Sequence, residues 1–159
     1  MDVKSRHHLR SDAADDIRES LAATLGVAVD ADSFEAVELV EADWEVVLVD
    51  GEPLVLYLDG EPFVTVQGAN ALGPKRRVVT VDAGAIEFVS NGADVMRPGI
   101  VAADDSIAAG DLVVVAEETH GKALAIGRAL VDGDEMAGDG GQVVESIHHV
   151  GDDLYEFSI

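Results

Sequence analysis

The tetrapeptide Asp-Gly-Glu-Pro occurs twice, at 50–53 and 59–62, each time between short apolar runs. Asp, Gly and Pro are turn formers, so a chain interrupted this closely can only double back on itself as short strands. The runs at 36–40, 44–49, 54–58 and 63–66 have strand length and composition, which predicts an antiparallel meander. Ahead of them, residues 11–25 change period. Ile17, Leu21 and Leu25 recur every four residues, Ser11 or Asp12 can cap, Asp15 and Asp16 suit the positive end of the dipole, and Gly26 stops the helix. One helix on such a sheet is a small α+β domain.

Residues 67–77 (QGANALGPKRR) break the pattern, and the domain boundary is placed there, giving domains of 1–74 and 75–159. Beyond it, 78–81 reads as a strand, and Asp82 caps a short helix over 83–90 closed by Asn91-Gly92. Residues 94–101 are extended around Pro98-Gly99, and 112–116, 123–131, 143–150 and 154–157 read as further strands. Many short strands with one helix predict a small barrel without an exposed edge. The fold class is α+β, a small N-terminal α+β domain followed by a β-barrel.

Among 159 residues, 32 are acidic and 10 are Lys or Arg, a formal charge of −22, while 48% are hydrophobic. That apolar fraction supports a real core and excludes a disordered acidic tail. The acids are scattered through strands and turns, which fits a salt-rich cytoplasm, where a Debye length of about 3 Å screens their repulsion. Binding of basic partners is the rival reading, but it calls for a concentrated acidic patch. No cysteine is present, so disulfides, thiolate metal sites and cysteine nucleophiles are excluded. No apolar run approaches the roughly 18 residues of a membrane span, and the N-terminus lacks a signal-peptide stretch; a cytoplasmic protein is expected.

Residues 81–86 (VDAGAI), 92–100 (GADVMRPGI), 109–113 (AGDLV), 123–127 (ALAIG), His148-His149 and 153–155 (DLY) stand in an order and spacing that resembles the PUA domain, the RNA-binding module named after pseudouridine synthases and archaeosine transglycosylases. The stretches 46–54 (VVLVDGEPL) and 60–65 (GEPFVT), with Lys4-Ser5-Arg6-His7-His8-Leu9, resemble the first half of the malignant T-cell amplified sequence family, which includes the yeast translation-machinery-associated homologue and archaeal proteins. The resemblance implies a non-enzymatic, ribosome-associated RNA-binding protein. Its implied partners are structured RNA (rRNA or tRNA) and the small ribosomal subunit or an initiation-factor-like protein, with no membrane and no cofactor. The alternative is an accessory RNA-binding subunit of a separate pseudouridine synthase or transglycosylase; a protein-docking module without RNA contact is a third reading.

By the same resemblance, RNA is held by the short helix and the strand after it: Gly84, Ala85, Gly92, Ala93, Asp94, Val95, Met96, Arg97 and Gly99. Small residues admit phosphates and sugars to backbone N–H groups, and arginine can bridge a phosphate. Lys75, Arg76 and Arg77 gather three of the ten cations just before the barrel and are assigned to the same interface. The plainer reading makes the glycines turn formers, Met96 core and the triplet a solvated linker. At 4% aromatics a broad stacking platform is not expected, and Trp44, Phe63, Phe88 and Phe157 are assigned to the core. Adjacent histidines in a strand point to opposite faces, so His7-His8 and His148-His149 are poor chelators. His148 is expected to pack within the last strands, and His7 and His8 to belong to a mobile or RNA-contacting N-terminus. Acidic pairs follow from composition, and Gly138 to Gly141 lacks the Lys-Ser/Thr of a phosphate loop. No metal site and no catalytic residue is assigned.

Overall fold

The computed structural model describes residues 2–40 and 45–157. Trp44, assigned to the core and to a strand start, lies outside the described residues. Five strands, β1 (Val3–His8), β2 (Phe34–Leu39), β3 (Glu45–Val49), β4 (Glu52–Leu58) and β5 (Glu61–Val64), form an antiparallel sheet in chain order, the predicted meander. Both Asp-Gly pairs are two-residue hairpin loops with positive φ at each position (Asp50 49°, Gly51 85°; Asp59 51°, Gly60 78°). This is the type I′ geometry that matches the twist of the flanking strands. The N-terminal His7-His8 segment, read from sequence as mobile or RNA-contacting, is strand β1, paired with β2.

Helix α1 (Ser11–Leu25) buries the predicted stripe of Ile17, Leu21 and Leu25, with Ala14 added to it, and ends at Gly26 with φ 70°. Its cap is Arg10 rather than Ser11 or Asp12, with no side-chain hydrogen bond at that position. The segment read as a pattern break folds as α2 (Val66–Leu72). Thr65 Oγ1 accepts the Gly68 N–H at 2.9 Å, and Gly73, at φ 67°, terminates the helix. Gly68 is not a breaker. A Cβ there would stand 1.9 Å from the carbonyl oxygen of Leu54, so the helix lies directly on β4 only because this residue has no side chain.

The second sheet contains β6 (Val78–Val81), β7 (Val95–Met96), β8 (Ile100–Ala103), β9 (Leu112–Glu117), β10 (Ala123–Ala129) and β11 (Gln142–His149), in the order β7-β11-β10-β9-β6-β8. Among the described residues, β6 and β9 alone pair in parallel. The terminal strands β7 and β8 are consecutive in the chain, joined by one 3₁₀ turn (Arg97–Gly99), so the sheet curls into a nearly closed barrel. Residues 154–157 are turns rather than the expected strand. The Asp152 carboxylate accepts the N–H groups of His149 and Tyr155 and folds the segment back.

All six residues of β9 are buried, and the first four alternate between two cores. Val113 and Val115 face the barrel interior with Val79, Val81 and Val144. Leu112 and Val114 face outward into a cluster with Ile126, Leu154, Phe157 and the first-half residues Leu56, Phe63 and Val66. An apolar run with both faces covered loses the alternation of a half-exposed strand. Helix α2 reinforces this junction. Asn70 mimics a strand neighbour, its Oδ1 accepting the Ala123 N–H at 2.8 Å and its Nδ2 donating to the Ala123 carbonyl. Gln67 Nε2 donates to the Leu154 carbonyl. The fully buried His148 accepts the Val66 N–H on Nε2 at 3.1 Å, which places its proton on Nδ1, against Asp152 at 2.8 Å. Burial works to raise the Asp152 carboxyl, but the hydrogen bond from His148 Nδ1 and the two backbone N–H groups hold it below the ordinary value.

Candidate nucleic-acid interface

Strand β6 ends at Asp82, whose Oδ1 accepts the Ala85 N–H at 3.0 Å and closes a 3₁₀ turn (Ala83–Ala85) that runs into α3 (Ile86–Ser90). The chain leaves this helix through Gly92 at φ 92°. A Cβ at Gly92 would lie 2.8 Å from Nε2 of His149, whose Nδ1 faces the carbonyls of Ser90 and Val150. The Asp94 carboxylate then fastens the next segment to β11 by accepting the Ser146 N–H and the Gln142 side-chain amide. After β7, Pro98 shapes the 3₁₀ turn, and the Gly99 carbonyl accepts the Asp82 N–H. Gly99 passes Ala85 so closely that an added Cβ would come within 3.2 Å of its methyl.

These constraints leave a groove of about 380 Å³ between the turn, α3 and β7. Of the residues assigned to RNA from sequence, Gly84, Ala85, Ala93, Asp94, Val95, Met96 and Gly99 line it. Gly92 shapes the wall from behind, against His149. Asp82, Phe88, Val89 and Pro98 also line the groove and were not assigned to it. Phe88 is a correction: placed in the core by its apolar neighbours, it is 65% exposed, and Met96 is 49% exposed. A helix of five residues can bury little more than one side chain, and here Val89 is that residue. The available signal was the brevity of the helix between Asp82 and Asn91-Gly92.

The arginines lie elsewhere. Arg97 turns from the groove and clasps the glycine loop after the barrel's last 3₁₀ turn. Its Nε donates to the Glu135 carbonyl at 3.0 Å, its Nη1 to the Gly140 carbonyl at 2.9 Å, and its own N–H to the Gly141 carbonyl. Lys75, Arg76 and Arg77 precede β6, whose four residues put about 13 Å of strand between them and Asp82. Arg76 donates to the Ala23 carbonyl at the C-terminal end of α1. Arg77, only 20% exposed in its side chain, faces Glu61 at 3.4 Å and Asp111 at 3.8 Å. Its N–H binds Asp104. Burial works to raise the Asp104 carboxyl, while N–H groups of Arg77 and Ser106, the Ser106 hydroxyl and the Arg76 charge hold it low. Arg18 and Arg128 likewise donate to backbone carbonyls. Of the triplet, Lys75 and Arg76 are exposed.

The only charged groups lining the groove are Asp82 and Asp94, and both already accept backbone N–H groups. The site therefore offers an apolar slot with one aromatic lip and a close backbone approach, and no cation for a phosphate. Among the described residues one carboxylate cluster, Asp132, Asp134 and Glu135, has metal-like spacing, and all three are exposed. The rings of His148 and His149 are occupied as described. No helix among the described residues is long and apolar enough to cross a membrane.

Residues 77–151 match the PUA domain. The chain is 42% identical over 116 residues to an uncharacterised protein of Methanocaldococcus jannaschii, covering 72% of each. It is 33% identical over 132 residues to translation machinery-associated protein 20 of Saccharomyces cerevisiae, covering 77% of this chain and 73% of that one. The fold superposes on the crystal structure of a hypothetical protein of Pyrococcus horikoshii with a TM-score of 0.85, at 32% identity, covering 96% and 98% of the two chains.

Proposed function

The chain belongs to the family of PUA-domain proteins that includes translation machinery-associated protein 20, and on that premise we propose that it is a non-catalytic RNA-binding protein of translation whose groove takes an unpaired nucleotide of a structured RNA. The observation that carries this reading is the chemistry of the groove. Phe88 and Met96 stand exposed at its lips, Gly84, Ala85 and Gly99 let a ribose approach the backbone, and no cation lines it. Such a slot suits the face of a base better than the charge of a phosphate. Lys75 and Arg76, exposed about one strand length away, would meet the phosphate backbone as it leaves the groove. In this reading residues 75–159 hold the RNA, which is tRNA or small-subunit rRNA. Residues 1–74 are a docking domain for the ribosome or an initiation-factor-like protein in a salt-rich cytoplasm.

The test is fluorescence anisotropy of labelled tRNA and small-subunit rRNA fragments in molar potassium chloride. Base–aromatic stacking is worth about 1–3 kcal/mol, so Phe88→Ala should weaken binding by roughly 5- to 150-fold at unchanged melting temperature. Lys75→Glu with Arg76→Glu should weaken binding across all RNAs alike. Arg77 and Arg97 are unsuitable for this test, because each supports the fold. Unchanged affinity in Phe88→Ala rejects the groove. Binding only in the presence of a pseudouridine synthase or transglycosylase would favour the accessory-subunit reading.

A further inference from the structure

Residues 4–10 contain Lys4, Arg6 and Arg10 with His7 and His8, and no acid, in a chain of net charge −22. The segment forms β1 and its exit, the free edge of the first sheet, and all six side chains of β1 are exposed. Among the described residues β1 is thus the outermost strand of its sheet, with side chains exposed on both faces and one edge unpaired. Strand geometry fixes what that edge presents. The Leu9 N–H donates to the Phe34 carbonyl, so in an antiparallel ladder residues 7 and 9 point their backbone groups at β2, and Arg6 and His8 point theirs outward. At the far end, a register shift between Val3 and Ser5 sits beside the exposed Val3 and Val40, an apolar contact point.

Cations on an edge strand often serve to keep copies apart. Here the rest of the body is acidic and its long-range repulsion is screened by salt, so what a basic strip adds is short-range attraction for acids. We propose that β1 is a docking edge for an acidic, extended segment of another protein, which adds as a further strand. The donor and acceptor alternation favours a peptide over RNA: phosphates could use the N–H groups of Arg6 and His8 but would be repelled by their carbonyls. A second copy pairing β1 to β1 would oppose like charges and is disfavoured. Arg6 is held by Glu35 and Arg10 has only a long, exposed pairing with Asp12, so Lys4 and Arg10 are the cations a partner can engage. Arg10 keeps 89% of its side chain exposed, with Asp12 at 3.9 Å.

The probe is a fluorescein-labelled heptapeptide of alternating Glu and Val, with an alternating Lys and Val peptide and an oligouridylate as competitors. Saturable binding of the acidic peptide is expected, together with slowed hydrogen exchange at the Arg6 and His8 amides. Lys4→Glu with Arg10→Glu should weaken it about tenfold or more at unchanged melting temperature, while Phe88→Ala leaves it intact. Absence of peptide binding, unprotected Arg6 and His8 amides, or equal binding of the basic peptide would overturn the proposal. Displacement by oligouridylate alone would assign the strip to RNA and overturn it too.

Discussion

Replacing Gly68 by alanine sets two well-characterised effects against each other within one methyl group. Helix propensity favours the substitution, since glycine inside a helix costs about 1 kcal/mol relative to alanine. Packing opposes it. The new Cβ would sit 1.9 Å from the Leu54 carbonyl oxygen and 2.8 Å from its carbon, whereas real Cβ contacts begin near 3.0 Å. Either α2 or β4 must retreat by more than 1 Å. Neither is loose: the same Leu54 oxygen accepts the Thr65 N–H at 3.0 Å, and the far side of α2 is held by Ala123 through Asn70 and by His148 through Val66. Overpacking of a well-ordered contact costs about 3 kcal/mol, so the net loss is about 2 kcal/mol. For a domain of this size that lowers the melting temperature by about 4–8 °C. The assay is thermal unfolding by circular dichroism in molar potassium chloride. Gly140→Ala, with nothing within 4 Å of the added atom and no positive φ, serves as control. A Gly68→Ala protein as stable as the parent, or more so, would show that α2 does not rest on Leu54 as described.

Asp152, held low in the fold, favours the folded state above the ordinary carboxylate value near 4, and that contribution disappears as pH falls through its folded value. Asp152→Asn should therefore flatten the acid limb of the stability curve, measured by urea unfolding against pH; an unchanged acid limb would contradict this. Arg97→Ala should speed hydrogen exchange at the residue-97 amide, which donates to the Gly141 carbonyl, by roughly tenfold or more, since the loop holding that carbonyl loses two side-chain hydrogen bonds of about 1 kcal/mol each. Exchange at the parental rate would remove Arg97 from its role in that loop.

The hairpins and α1 were legible because their signals are local. Asp-Gly pairs specify their own turn, and Ile17, Leu21 and Leu25 announce their stripe without reference to anything distant. Helix α2 was not legible, because Gly68 reads as a breaker until Leu54, far back in the chain, is seen against it. Residues 154–157 alternate like a strand, but Asp152 captures their backbone before a neighbour can. Around the candidate groove the close backbone approach had a local signal: Ala85 and Gly99 are small where two 3₁₀ turns pass within contact. The charged residues are not all where their type suggests. Residue type says that an arginine is positive; only the tertiary fold says that Arg97 spends its donors on Glu135 and Gly140, and Arg77 its charge on Glu61 and Asp111. Phe88 failed in the opposite direction, since apolar neighbours in sequence do not decide which way a five-residue helix faces.

The two-sided burial of β9 makes the barrel a shape with an interior on both sides of its wall. Leu112, Val114 and Ile126 occupy what would be the skin of a solitary barrel, yet they are as dry as its centre. Cut free at residue 75, such a barrel would expose an apolar seam and leave the His148 ring without the Val66 N–H. The first half is thereby the missing coat of the second. Mechanical strain or thermal motion reaching the helix should pass into the groove-bearing half through a shared wall, with no hinge between.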